Sequence, residues 1–313
     1  MEQHDTKSSP KRFRTLAQHP DKVTFIAYGD TRTNPDIHAD LAKWFKDYDP
    51  DFILHTGDLV SRGKQYGLWE KEFFTPLTNV IDEIPILSAI GNHEEDGTNY
   101  LAQFHLPDHQ LWYSFDAGPV HFLALDYRFQ SADHAQYQFA QKDLMESRAP
   151  WKVVFLHEPV FNFGGHNSMW GHEAYLPLFH QGRVDLVVSG HSHLYERFKP
   201  LTSAADKGKW AITHITTGGG GAPLYGTVEH PSHAGYARTN HFVVFEATQD
   251  SIKGRAVSRE GKVFDEFVIK KTNGEYDAAY LGGAFDEVEV SNDIKKAPPL
   301  TGSKSSAKKK KAK

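Results

Sequence analysis

The sequence predicts an α/β fold built from two β-sheets flanked by helices. Three observations predict it. Short unbroken apolar runs alternate with segments of helical spacing through the first half, as expected of strands buried on both faces. Strand-like runs without intervening helices fill the last third. Polar clusters rich in Asp, Asn and His follow directly on the apolar runs, where ligands of α/β folds collect.

The run KVTFIAY (22–28) is β-rich and apolar, and Ile37, Leu41, Trp44, Phe45 and Tyr48 then repeat at helical spacing. DFILHT (51–56) is a second strand, residues 68–80 a second helical stretch, and IPILSAI (84–90) a third strand. LWYSFDAGPVHFLALDY predicts a hairpin turning at 116–119. A helix over 133–148 follows, with acid at its start and arginine at its end, as the macrodipole favours. WKVVFLH (151–157) and VDLVVSGH (184–191) are core strands with a helical turn near 175–180 between them. WAITHITT, HFVVFEAT, SIKGRAVS and KVFDEFVIK read as successive strands of an antiparallel sheet. The predicted domain spans 21–272. A basic N-terminus (1–20) and a Lys-rich tail (295–313) are expected to be disordered, and the acidic stretch 273–294 has no clear assignment.

Composition narrows the chemistry. With 313 residues and 39% apolar content, the chain can bury a substantial core. The absence of cysteine excludes disulfides, thiolate metal sites and a cysteine nucleophile. Nineteen histidines point instead to oxygen and nitrogen donors. The net charge is −5, but the tail from Lys295 holds eight lysines and no acid, so the remainder carries −13. Such an acidic body is not expected to bind nucleic acid, the Lys-rich tail being the one candidate exception. There is no run of 18 apolar residues, so no membrane span is expected. The opening residues lack the apolar run of a signal peptide. The expected location is therefore the cytoplasm, or the periplasm or exterior if a leader is removed.

Five polar clusters sit at predicted strand ends: Gly29-Asp30-Thr31-Arg32, Gly57-Asp58, Gly91-Asn92-His93-Glu94, His157-Glu158 and Gly190-His191-Ser192-His193. Five such ends can converge on one site. Asp, Asn and His donors suit Mn, Zn or Fe(II). Asp58 has two carboxylate oxygens and could serve two cations, while His191 and His193, two residues apart, could each reach a neighbouring one. Two adjacent metals clamp an in-line phosphoryl displacement and offset the repulsion between an acidic body and a phosphate ester.

In that order, these motifs resemble those of the calcineurin-like metallophosphoesterase superfamily. Gly190-His191-Ser192-His193-Leu194-Tyr195-Glu196-Arg197, with the glycine run 218–221 and Ala222-Pro223, resembles the purple acid phosphatase branch. The resemblance covers about residues 22–270. It implies a four-layer α/β/β/α sandwich and a dinuclear centre of two divalent ions, with a metal-bound hydroxide as nucleophile. It places one ion on Asp30, Asp58 and His193, and the other on Asp58, Asn92, His157 and His191. It makes His93 the catalytic histidine that contacts phosphoryl oxygens and protonates the leaving alkoxide. It also makes His166, in the loop after His157, similar in placement to a substrate-pocket histidine; a surface-loop role is the alternative.

Two positions depart from the pattern. Where the family often has a ligating histidine, two residues after the first aspartate, this chain has Arg32. Where the purple enzymes have a tyrosine, three residues after the second aspartate, it has Ser61, so no tyrosinate-bound Fe(III) is expected. Arg32 has no lone pair to offer a metal. It either forks onto a substrate phosphate oxygen or pairs with a carboxylate near Asp30. The expected activity is phosphomonoester hydrolysis of a small-molecule substrate. A phosphodiesterase or nucleotide hydrolase using the same residues, or a non-catalytic binding module with a weakened first metal position, are the alternatives.

Overall fold

The computed structural model describes residues 15, 20–108, 110–166, 168–203, 210–226, 228–272 and 275–276. The expectations for the terminal segments and for most of the acidic stretch fall outside the described residues.

The first half contributes β1 (Lys22–Tyr28), α1 (Pro35–Ala42), β2 (Phe52–His55), the short helix α2 (Tyr66–Leu68) and β3 (Ile86–Ser88). Next come α3 (Thr98–Gln103), the hairpin β4 (Tyr113–Ala117) and β5 (Val120–Ala124), and α4 (Ala135–Glu146). Then follow β6 (Trp151–Leu156), α5 (Tyr175–Gln181), β7 (Leu186–Ser189), β8 (Tyr195–Phe198), β9 (Leu201–Thr202) and β10 (Ala211–Thr217). The chain closes with β11 (His233–Ala237), β12 (His241–Thr248), β13 (Ser251–Ser258), β14 (Val263–Thr272) and β15 (Glu275–Tyr276).

One sheet has the order β15-β14-β13-β12-β1-β2-β3. The other runs β11-β8-β10-β7-β6-β5-β4, with β9 paired to β10. Strands β1, β2 and β3 are parallel, as are β5, β6, β7 and β10. Side-chain parity builds the layers. Phe25 and Phe52 face inward, where Phe25 meets Phe122 of the second sheet edge-on at 5.1 Å and stacks on Phe245 at 4.9 Å. Tyr28, on the opposite face of β1, packs on Phe45 at 5.2 Å, beside α1. The outer face of the second sheet buries Leu123, Val154 and Val187 against Leu144 of α4 and Phe179 of α5. The result is the helix–sheet–sheet–helix sandwich that the resemblance implies.

Three local differences separate the structure from the expected elements. The expected helix over 36–48 stops at Ala42 and resumes as a 3₁₀ turn at Phe45–Tyr48. The stretch expected as helix over 68–80 widens to i→i+5 bonding, with Thr75 N–H donating to Glu70 C=O at 2.8 Å, and gives way to turns before Pro76 can continue it. The late strands do not form one separate antiparallel sheet. WAITHITT becomes β10 in the second sheet, parallel to β7, whereas β12 pairs antiparallel with β1 and extends the first sheet. Among the described residues, no helix is long and apolar enough to cross a membrane.

Candidate metal centre

Each predicted cluster lies just past the carboxyl end of a parallel strand. Asp30 follows β1, Asp58 follows β2, Asn92 and His93 follow β3, His157 follows β6, and His191 and His193 follow β7. Because the two sheets face each other, these five ends meet at one edge of the sandwich. Asp30, Asp58 and His191 all take positive φ, of 59°, 57° and 65°. Such backbone is uncommon outside glycine and is concentrated at functional sites. Gly91 is required by close approach: a Cβ there would lie 2.4 Å from Asp58 Oδ1.

Four donor atoms converge beside β3 and β6. His157 Nε2 lies 2.9 Å from Asn92 Oδ1 and 3.3 Å from Asp58 Oδ1. His191 Nδ1 lies 3.0 Å from Asn92 Oδ1 and 3.2 Å from His157 Nε2. His157 Nδ1 donates to the carbonyl of Thr56 at 2.9 Å, which turns Nε2 toward the cluster. Burial, then the neighbouring His157, pushes the His191 imidazole down to about 3, so it is neutral with a lone pair available. Burial would also lower His157, but Asp58 and Asp30 outweigh it and raise the group. The same field that draws a proton to this imidazole draws a cation. Burial works to raise Asp58, and His157, His93 and Arg32 overcome it to hold the carboxyl below its ordinary value.

The fit to one ion is close. Donors about 2.1 Å from a common metal stand about 3.0 Å apart at right angles and about 3.4 Å apart at tetrahedral angles. The four separations above, 2.9–3.3 Å, lie within about 0.1 Å of that range. Carboxylate or imidazole donor atoms of the buried residues Asp30, Asp58 and His157 also lie within 4.8 Å of one another.

The neighbouring position differs. Asp30 Oδ2 accepts the His191 N–H at 2.8 Å, while Asp30 Oδ1 is buried without a hydrogen-bond partner, 3.4 Å from His193 Nε2. His193 Nδ1 donates to Pro223 C=O at 2.8 Å. Arg32 reaches into this position: its Nε donates to Asp58 Oδ2 at 3.1 Å and its Nη2 lies 3.2 Å from His193 Nε2. Arg32 thus pairs with a carboxylate here, and that carboxylate is Asp58. Ser61 faces away, its N–H and Oγ held by Glu72 at 2.6 and 2.9 Å.

His93 stands over the centre without joining either donor group. Its backbone N–H donates to Asp58 Oδ1 at 2.8 Å, and its Nδ1 to Ser61 C=O at 2.7 Å. Its Nε2 is 3.8 Å from Asp58 Oδ2, in a side chain that is 31% exposed. His166 comes to the same mouth, stacked on His191 at 4.6 Å with Nε2 2.9 Å from the Tyr225 hydroxyl. All nine residues singled out in the sequence therefore gather in one place.

Sequence reasoning missed the groups that hold this arrangement. Glu94 accepts the backbone N–H groups of Asp58, Leu59 and Gly91 at 2.9, 2.8 and 2.7 Å. The available signal was an acid three residues after a turn glycine, at the position of a capping box. Tyr225 stacks on His193 at 4.2 Å. Asn162 Nδ2 ties the His166 loop to the His193 turn through His166 C=O at 2.6 Å and Ser192 Oγ at 3.0 Å. Glu196 is scaffolding: it accepts Gly164 N–H at 2.8 Å and contacts His233 at 3.1 Å. The glycine run is a tight turn beside β1, with Gly220 N–H donating to Gly29 C=O at 2.9 Å.

Fold and site together define a class. The chain matches the model of the calcineurin-like phosphoesterases over residues 23–195, and it belongs to that family. Within it, the chain is similar to the purple acid phosphatase branch. It is 34% identical over 222 residues to purple acid phosphatase 22 of Arabidopsis thaliana, an alignment covering 64% of this chain and 50% of that one. It is 28% identical over 184 residues to acid phosphatase type 7 of Mus musculus, covering 48% and 41%. The chain spans about half the length of the curated relatives it matches. Purple acid phosphatase PPD1 from yellow lupin (Lupinus luteus) seeds has the same fold, with a TM-score of 0.70 at 20% identity over 86% of this chain and 55% of that one. So does GAP50, the anchor in the inner membrane complex of Plasmodium, with a TM-score of 0.64 at 19% identity over 83% and 91%.

Proposed function

We propose that this chain hydrolyses phosphate monoesters of small molecules at a metal centre built on Asp58, Asn92, His157 and His191. The observation that carries the reading is the meeting of their four donor atoms at 2.9–3.3 Å. A divalent ion held there supplies Lewis-acid chemistry, polarising a phosphoryl oxygen and making water more acidic. Mn, Zn and Fe(II) suit this donor set. Without a tyrosine at position 61, nothing favours Fe(III).

The chain's own groups would divide the remaining work. His93, fixed through Nδ1 on Ser61, presents Nε2 to the open side, where it can pass a proton to the leaving oxygen. His166 and Tyr225 wall the mouth and orient the ester. Arg32 brings positive charge to the phosphate side. Asp30 Oδ1, buried without a donor, also requires positive charge at the neighbouring position. The relatives' names, purple acid phosphatase and acid phosphatase, support the monoester reading over the diester one.

The test is a panel of nitrophenyl phosphate and bis(nitrophenyl) phosphate with Mn(II), Zn(II) or Fe(II) supplied. Hydrolysis of the monoester in preference to the diester, abolished by Asp58→Ala, is expected. Metal bound with no turnover of either ester would establish a binding module instead.

A further inference from the structure

We infer that Arg32 takes the place of the first of the two metal ions, so that the centre works with one divalent ion and one guanidinium. The inference rests on the phosphoesterase reading above and concerns the position formed by Asp30, Asp58 and His193.

A cation entering that position would need three donor atoms: Asp30 Oδ1, Asp58 Oδ2 and His193 Nε2. Arg32 already engages two of them, Asp58 Oδ2 through Nε at 3.1 Å and His193 Nε2 through Nη2 at 3.2 Å. The protonation pattern agrees. Because His193 Nδ1 donates to Pro223 C=O, Nε2 carries the lone pair and accepts from the guanidinium. Arg32 is held there from several sides. Its backbone N–H donates to Asp58 C=O at 3.4 Å, its Nη1 to Thr33 Oγ1 at 3.3 Å, and its side chain is 13% exposed.

The ligand count points the same way. The second position has four protein donors. The first has three even if Arg32 withdraws, because Ser61 is bound to Glu72 and an arginine offers no lone pair. A divalent ion there would also sit against a permanently charged guanidinium, a like-charge contact in a buried setting. A guanidinium, by contrast, neutralises one of the two aspartates, and its Nη1 and Nη2 each keep a second N–H beyond the contacts to Thr33 and His193. Asp30 and Asp58 with Arg32 and one divalent ion leave a net positive charge to meet a phosphate dianion.

The experiment uses the full chain, stripped with a chelator and titrated with Mn(II). Bound manganese is counted by equilibrium dialysis, and its electron paramagnetic resonance spectrum distinguishes an isolated ion from a coupled pair. The wild-type chain should bind one equivalent, show the isolated-ion spectrum and reach full nitrophenyl phosphate hydrolysis at that equivalent. Arg32→His, which exchanges a donor for a lone pair, should bind two equivalents and show a coupled pair. Two equivalents in the wild-type chain overturn the inference and leave the phosphoesterase reading intact. One equivalent in Arg32→His as well overturns the role given to Arg32. No manganese bound and no ester hydrolysed overturns the phosphoesterase reading itself. If the variant does not fold, the wild-type count alone decides.

Discussion

The carboxylate of Glu94 accepts the backbone N–H of Asp58 at 2.9 Å, joining the loop after β3 to the loop after β2 beneath the candidate centre. The same carboxylate takes Gly91 N–H at 2.7 Å and Leu59 N–H at 2.8 Å, so one buried side chain sets the spacing of Asp58 and Asn92. Both of its oxygens are occupied by donors. Glu94→Gln would turn an amide NH₂ toward N–H groups that need an acceptor. About 1–3 kcal/mol of stability should be lost, and Mn(II) affinity should fall about 10- to 100-fold, the usual cost of removing a ligand's support. Unchanged affinity in a manganese titration would show that Glu94 only packs the loop.

His93→Ala should lower kcat for an alkyl phosphate by about 10²- to 10⁴-fold, the range for a general acid. Bound manganese should not change, since His93 Nε2 lies 3.8 Å from Asp58 Oδ2, outside the donor cluster. The loss should be smaller for nitrophenyl phosphate, whose leaving group needs no proton. Equal losses on both esters would point to phosphate binding as the whole of its role.

Away from the site, His121 stands between two carboxylates, with Nδ1 2.7 Å from Asp116 Oδ1 and Nε2 2.7 Å from Asp143 Oδ2. Burial works to lower its pKa, but the hydrogen bonds and charges of Asp143 and Asp116 raise it above 6.5. A group raised in the fold stabilises fully below its unfolded value, and that contribution disappears as pH climbs through the folded value. The Tm of the wild-type chain should therefore exceed that of His121→Gln by a margin that is full below about pH 6 and shrinks as pH rises. A margin that stays constant from acid to alkaline pH would remove His121 as its source.

Phe25 is one of the contacts through which the two sheets meet, 5.1 Å from Phe122 of the second sheet and 5.7 and 4.9 Å from Phe52 and Phe245 of its own. Phe25→Ala should cost about 3–5 kcal/mol in urea unfolding, as for other large-to-small changes in a core. Because Asp30 lies five residues along the same strand and loop, manganese affinity should drop with it.

The strands that carry the donors were legible because their pattern is local. KVTFIAY, DFILHT, WKVVFLH and VDLVVSGH are apolar on both faces, which only a covered sheet satisfies, and each ends in a polar cluster. Strands β8 and β11 were not legible. Tyr195–Phe198 mixes Glu196 and Arg197 with aromatics, and its charges are buried only because Gly164 N–H and Asp265 receive them from distant segments. The destination of WAITHITT was equally hidden, since its apolar run suits either sheet and only pairing with β7 places it.

The sequence by itself determined the chemistry: no thiols, oxygen and nitrogen donors in five strand-end clusters, and an arginine and a serine where two ligands would stand. Tertiary structure decided how those groups are used. Glu72 draws Ser61 away, Glu94 sets the distance between two loops, and Arg32 lies across Asp58 and His193, 26 and 161 residues further along the chain. Residue type limits what a side chain can donate, but its partner is set by which strands pair and which loops meet. Those contacts are fixed by the burial of both sheets, which no local pattern records.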